Sequence, residues 1–208
     1  MITTFLIIGS SDVWIPSEKC QTCSNHKSFN SDASSSYSLV SASSGNARAF
    51  RISYGSGDIA GYVATDTITF SSLVIPNIIF GEVTSEASAI SSFDMDGIVG
   101  LAFTGLSVVT IPGILDGIQS NYANFTQSFS LYLSSDPDDK TKPSKIMFGY
   151  YDLSIVSEKA LFFYTPVVRY TSSLTYWTVA MNGFEVGSSA DFTSTDAVLS
   201  VFSICQYG

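Results

Sequence analysis

A mostly β fold is predicted from three observations. Runs rich in Val, Ile, Tyr, Phe and Thr alternate with Ser, Gly and Asn clusters; few stretches carry a helical period; and glycine is frequent, at 15 residues. With 45% hydrophobic and 13% charged residues, the 208-residue chain has a globular composition and enough length to bury a sizeable core.

Taken in order, residues 2–8 and 13–15 read as buried strands, with Gly9 permitting the tight turn between them. Residues 29–45 are serine-rich and have the composition of a linker. From Arg48 to Phe70 the alternation predicts a hairpin turning at Gly55-Ser56-Gly57, where glycine tolerates positive φ. Pro112 to Gln119 suits a short helix with proline in its first turn. The run from Ser134 to Lys140 reads as a solvated turn whose carboxylates are surface charges.

Charge and motif content exclude several functions. A net charge of −9 and a pI near 4.3 lack the basic footprint that nucleic acid requires. The same acidity fits an acidic compartment or ordinary solubility, and both readings stay open. No apolar run approaches the ~20 residues of a membrane span. The N-terminus shows no secretory signal, since no basic residue precedes the short apolar run from Phe5 to Ile8. His26, the one histidine, falls in a polar loop with Ser24, Asn25 and Lys27, and no Gly-x-Ser-x-Gly elbow exists to complete a serine triad. Ligand clusters for a metal and a phosphate-binding loop are missing, so no metal or other cofactor is expected. Cys20-Gln21-Thr22-Cys23 could be a small disulfide loop, a redox motif or half a zinc site; no second Cys-x-x-Cys or βαβ pattern supports the last two. Cys205 is left over. Asn124-Phe125-Thr126 fits an N-glycosylation acceptor.

The order of several segments carries a family resemblance. Residues 5–16 read Phe-Leu-Ile-Ile-Gly-Ser-Ser-Asp-Val-Trp-Ile-Pro. Ile52-Ser53-Tyr54-Gly55-Ser56-Gly57 follows, then Met95-Asp96-Gly97-Ile98-Val99-Gly100-Leu101-Ala102-Phe103. Farther on come Phe129 to Leu133, Ile146 to Gly149, Thr165-Pro166-Val167 and Tyr176-Trp177-Thr178-Val179. This series resembles the pepsin-like aspartic peptidases, in which the first segment is hydrophobic-Asp-Thr-Gly-Ser-Ser. Here Ile7 and Ile8 occupy the Asp and Thr positions.

The resemblance implies an all-β acid protease fold, with residues 1–163 as a first lobe bearing a flap hairpin and residues 164–208 as the start of a second. It implies that the chain is truncated, its opening strands missing. It also makes the serine-rich segment an ordered loop anchored by Phe29 and Tyr37, and pairs Cys20 with Cys23 in a disulfide. In the family, two aspartates, one from each lobe, share a proton and activate water for attack on a peptide bond. Ile7 can do neither. Ser10, which would hydrogen-bond the lost aspartate, is left without its functional partner. The second position falls on Ser200 if Ala197-Val198-Leu199 is the incoming strand; an alternative alignment puts Cys205 ahead of a motif that is not reached. Asp96 corresponds to a structural residue behind the cleft, while Asp12 and Asp58 are expected to face solvent.

Trp14 and Tyr54 match the pair that holds the flap over an extended peptide, and Gly55 and Ser56 would present polar groups to that peptide. Trp14 and Tyr54 could equally be aromatic core packing. The expected partner is a polypeptide substrate or a peptide ligand, the expected state a monomer, and the compartment the family implies is secreted, lysosomal or vacuolar. Two functions follow: an aspartic endopeptidase that has lost both acids, or a non-catalytic peptide- or protein-binding module on the same fold.

Overall fold

A computed structural model of the chain describes residues 2–70, 72–109, 111–136, 138–155, 163–169, 172–181, 183–186, 189–193 and 198–200. Its centre is a seven-stranded mixed sheet. Strand β1 (Thr4–Ile7) lies at one end, followed by β7 (Gly97–Gly100), β2 (Val13–Pro16), β6 (Leu73–Glu86) and β5 (Gly57–Phe70). The short β3 (Ser38–Leu39) and the flap strand β4 (Ala49–Tyr54) both pair with β5. Strand β7 runs parallel to β1 and antiparallel to β2, so it separates two strands adjacent in sequence. All four of its residues are buried, as expected for a strand covered on both faces.

Alternation sorts the side chains into two cores. Phe5, Trp14 and Ile98 face one, with Phe50, Ile59, Val63, Val83, Ile90 and Met95. Ile8, Val13 and Val99 face the other, with Ala64, Ile75, Ile78, Phe80, Leu101, Ile114 and Ile118. Ile7 packs against the first and Ile8 belongs to the second, so neighbouring residues of one turn serve opposite faces.

The serine-rich segment is ordered, as its aromatic anchors imply. Phe29 packs on Tyr37 and edge-on to Phe80 at ring separations of 5.9 and 5.7 Å. The Tyr37 hydroxyl donates to Glu82 at 2.5 Å, and Ser17 Oγ donates to the other oxygen of that buried carboxylate at 2.6 Å. Asn30 caps the short 3₁₀ turn Ser31–Ala33 by accepting from the amides of Asp32 and Ala33.

One boundary departs from the sequence reading. Beyond the single turn α1 (Ser88–Ser91), helix α2 spans Ile114–Asn121, so Pro112 precedes the helix instead of sitting in its first turn. Asp116 sets this start, its Oδ2 accepting from the Gly113 amide at 3.0 Å, where a carboxylate also suits the positive end of the helix. Strands β8 (Phe129–Tyr132) and β9 (Lys145–Phe148) form a separate hairpin.

Farther along lie two ribbons, β10 (Thr178–Ala180) with β13 (Val198–Ser200) and β11 (Gly183–Val186) with β12 (Ser189–Thr193). Trp177 fastens this part of the chain to the sheet. Its Nε1 donates to the Leu101 carbonyl at 3.0 Å, and its ring meets Phe103 and Phe129 at 4.5 and 5.3 Å.

Candidate functional site

The turn joining β1 to β2 is held from behind by the segment that leaves β7. The Leu101 and Ala102 amides donate to the carbonyls of Ile7 and Ser10, both at 2.8 Å, and the Gly100 amide donates to the Asp12 carbonyl at 3.0 Å. Ser11 Oγ closes the set by donating to the Phe103 carbonyl at 2.5 Å. Only glycine fits at position 100. A Cβ there would lie 2.5 Å from the Ser10 carbonyl oxygen and 2.7 Å from the Asp12 amide nitrogen, both backbone atoms.

Held this way, Ile7 lines a cavity of about 390 Å³ together with Phe5, Trp14, Ile90, Phe93, Met95 and Ile98. The flap covers it. Strands β4 and β5 turn through Gly55 and Ser56, with Tyr54 paired to Gly57, and these flap residues complete the lining. Gly57 has φ +133°, and a Cβ there would come within 2.4 Å of Ala87 Cβ. Gly55, which the sequence reading grouped with it, does not require positive φ.

Tyr54 is the polar hub of the site. Its hydroxyl accepts from Trp14 Nε1 at 2.9 Å and is also hydrogen-bonded by the Ser10 side chain. Trp14 is both core, at 0% exposure, and hydrogen-bond donor to the flap tyrosine. Ser10 thus has the Tyr54 hydroxyl as a side-chain partner. Burial raises the Tyr54 pKa above 10, while the bonds from Trp14 and Ser10 oppose the shift.

No carboxylate lines this cavity among the described residues. Asp12, expected at the surface, is instead 3% exposed and turned away from the cleft. It accepts from Ser107 Oγ at 2.5 Å and from the amides of Val108 and Val109, so its oxygens are hydrogen-bonded by a loop 95 residues distant in sequence. Asp96 is structural, as the sequence implied, accepting from the amides of Thr3 and Lys27 at 2.7 and 2.8 Å. Asp58 lies on the flap with its side chain 40% exposed and pairs with Arg51; hydrogen bonds from Ser53 and Arg51 hold its carboxyl below the usual range. Ser200 ends β13 opposite Thr178, and Cys205 lies outside the described residues.

His26 also departs from expectation. Within its polar loop it is buried, with Nδ1 3.2 Å from Glu86 Oε1 and Nε2 3.2 Å from the Phe93 carbonyl oxygen. Burial pushes the Glu86 pKa up, opposed by the neighbouring His26. This pair ties the Cys20–Cys23 disulfide loop to α1 and to the wall holding Ile90 and Phe93; the disulfide itself is formed. Sequence reasoning missed Glu86. A lone Glu between Ser85 and Ala87 gives no signal, since its partner is 60 residues away.

Comparison with known proteins gives one consistent result. The family model for eukaryotic aspartyl proteases matches residues 3–201. Cathepsin D of Dictyostelium discoideum is 35% identical, over 96% of this chain and 49% of that protein. The vacuolar aspartic protease of Candida albicans is 35% identical over 92% and 44%, and human gastricsin 33% over 89% and 46%. The chain spans about half the length of the curated relatives it matches. With the match extending across nearly every described strand, and with flap, tryptophan and turn in mutual register, the chain belongs to the eukaryotic aspartyl protease family.

Proposed function

We propose that this chain keeps the peptide-holding half of an aspartic peptidase cleft and does not hydrolyse what it holds. The observation that carries this reading is Ile7 on the floor of the cavity beneath an intact Trp14–Tyr54–Ser10 network. A general acid or base must come within about 2.6–3.2 Å of the proton it moves. The isoleucine side chain offers no such group, and Ser200, at the second expected position, offers no carboxylate. An extended peptide would lie between the flap and β1, with polar contacts from Gly55 and Ser56 and a large apolar side chain in the cavity. The retained flap network favours a peptide-binding module over a protein that has lost its function altogether. A secreted, lysosomal or vacuolar setting belongs to the same proposal. It is supported by the disulfide, which needs an oxidising route, and by the vacuolar name of the Candida relative.

The test uses the whole chain at acidic pH with an unfolded protein and with a peptide carrying a large apolar residue at its centre. No cleavage is expected, together with saturable peptide binding read from the emission of Trp14 and Trp177. Cleavage blocked by a pepstatin-type inhibitor would overturn the non-hydrolytic part. A folded chain without saturable binding would overturn the peptide-holding part.

A further inference from the structure

Asn124-Phe125-Thr126 is the only Asn-x-Ser/Thr triplet in the chain, and neither residue after the asparagine nor the one after the threonine is proline. Chance produces such triplets often, and the place of this one in the fold sets it apart. It follows α2 on a turn, ahead of β8. Asn124 and Thr126 are exposed and flank the half-buried Phe125. The phenylalanine packs against the core containing Ile114 and Ile118, with its ring edge over Gly149. Alternation then turns the asparagine amide and the threonine hydroxyl outward together. Among the described residues no hydrogen bond holds the Asn124 side chain.

The turn itself is fixed. The Phe125 amide donates to the Tyr122 carbonyl at 2.9 Å, and the Tyr122 hydroxyl accepts from the Val74 amide at 2.8 Å. Val74 marks the end of the β5–β6 hairpin remote from the flap, which meets β6 at Glu86. Twelve residues of strand separate the two ends, on the order of 40 Å at full extension. A bulky polar chain on Asn124 would therefore stand clear of the cleft and bury nothing.

A second observation points to the compartment. The formed Cys20–Cys23 disulfide belongs to chains that pass through an oxidising lumen, where asparagine-linked glycans are also added. We propose that Asn124 is an N-glycosylation site, the acceptor of an oligosaccharide from a lipid-pyrophosphate-linked donor. The Asn124 amide nitrogen forms a bond to the anomeric carbon of the first sugar and loses one proton. The bond from that carbon to the pyrophosphate oxygen breaks, and the lipid pyrophosphate leaves with the electron pair. No oxidant or reductant takes part. The site shares with the proposed function only the lumenal setting and does not depend on what the cleft binds.

The test expresses the whole chain behind a cleavable secretory leader in a eukaryotic cell, and reads secreted and cell-retained protein alike, because transfer precedes folding. One glycan is expected, released by a peptide N-glycosidase with conversion of Asn124 to Asp seen by mass spectrometry. Asn124→Gln and Thr126→Ala should each abolish it, and Thr126→Ser should retain it. Lumenal chain, identified by its oxidised Cys20–Cys23 pair, with Asn124 unmodified would overturn the proposal, as would a glycan that survives both abolishing changes. Neither outcome bears on peptide binding or hydrolysis, so failure here is distinct from failure of the proposed function.

Discussion

Removing one oxygen tests whether the flap is tied down. In Tyr54→Phe the ring stays and only the hydroxyl goes, so packing against Trp14 and Ile7 is preserved. Trp14 Nε1 has donated to that hydroxyl, and the indole is 0% exposed, so water cannot replace the lost acceptor without opening the structure. A buried donor left unsatisfied costs about 1–3 kcal/mol, beyond the hydrogen bond's modest net contribution. Ser10 adds little, because it sits at partial exposure and can turn to water. A loss of about 2 kcal/mol follows, which for a chain of this size moves the thermal midpoint down by about 4–8 °C. Thermal unfolding followed by circular dichroism, with wild type and variant in one buffer, measures this. A companion Ser10→Ala change should move the midpoint by far less. A Tyr54→Phe midpoint within a degree of wild type would refute the reasoning, since it would mean that the indole and the phenol do not meet in solution.

Two further outcomes are expected. Burial raises the Glu86 pKa above 4.5, so between 4.5 and the raised value the native state holds a proton that the unfolded chain has released, and stability falls as pH rises through that window. Glu86→Gln should therefore gain stability relative to wild type as pH rises from about 4.5, read as urea midpoints across pH; a difference that is flat or runs the other way would contradict it. The double change Ile7→Asp with Ile8→Thr should leave the 208-residue chain without acid proteolysis, because an isolated carboxyl has no facing partner with which to share its proton. Turnover of an unfolded protein by this variant, at concentrations too low for two copies to pair, would contradict that.

Contiguous signals were the legible ones. The turn at Ile7 announced itself because strand, glycine, two serines and Trp14 fall within ten residues, and the hairpin around Gly57 because enough alternation flanks its glycines to mark two strands. The fold class and the flap followed from these. Asp12 was misread because its partners, Ser107 to Val109, lie 95 to 97 residues away, and a charged residue beside a strand looks solvated until that loop is placed. His26 failed for the same reason: polar neighbours in sequence say nothing about Glu86 and Phe93, which reach it only through the folded sheet. Pro112 misled locally, since proline suits both the first turn of a helix and the residue before its cap; Asp116 decided between them by capping Gly113.

The insertion of β7 between β1 and β2 sets a timetable for the whole site. Strand β2 can pair with β6 once residue 83 is made, but β1 has no sheet neighbour until residue 97 arrives, because the strand that joins the two lies far downstream. At ribosomal speeds of about 5–20 residues per second, Val13 waits roughly 4–17 s for its partner Val99 to be made. Throughout that interval the apolar stretch from Phe5 to Ile8 has no sheet to join, and the turn bearing Ile7 has no carbonyl clamps. The cleft floor is thus synthesised well before the strand that completes it. A chaperone that holds nascent apolar segments would find a client in the stretch from Phe5 to Ile8 until β7 is made.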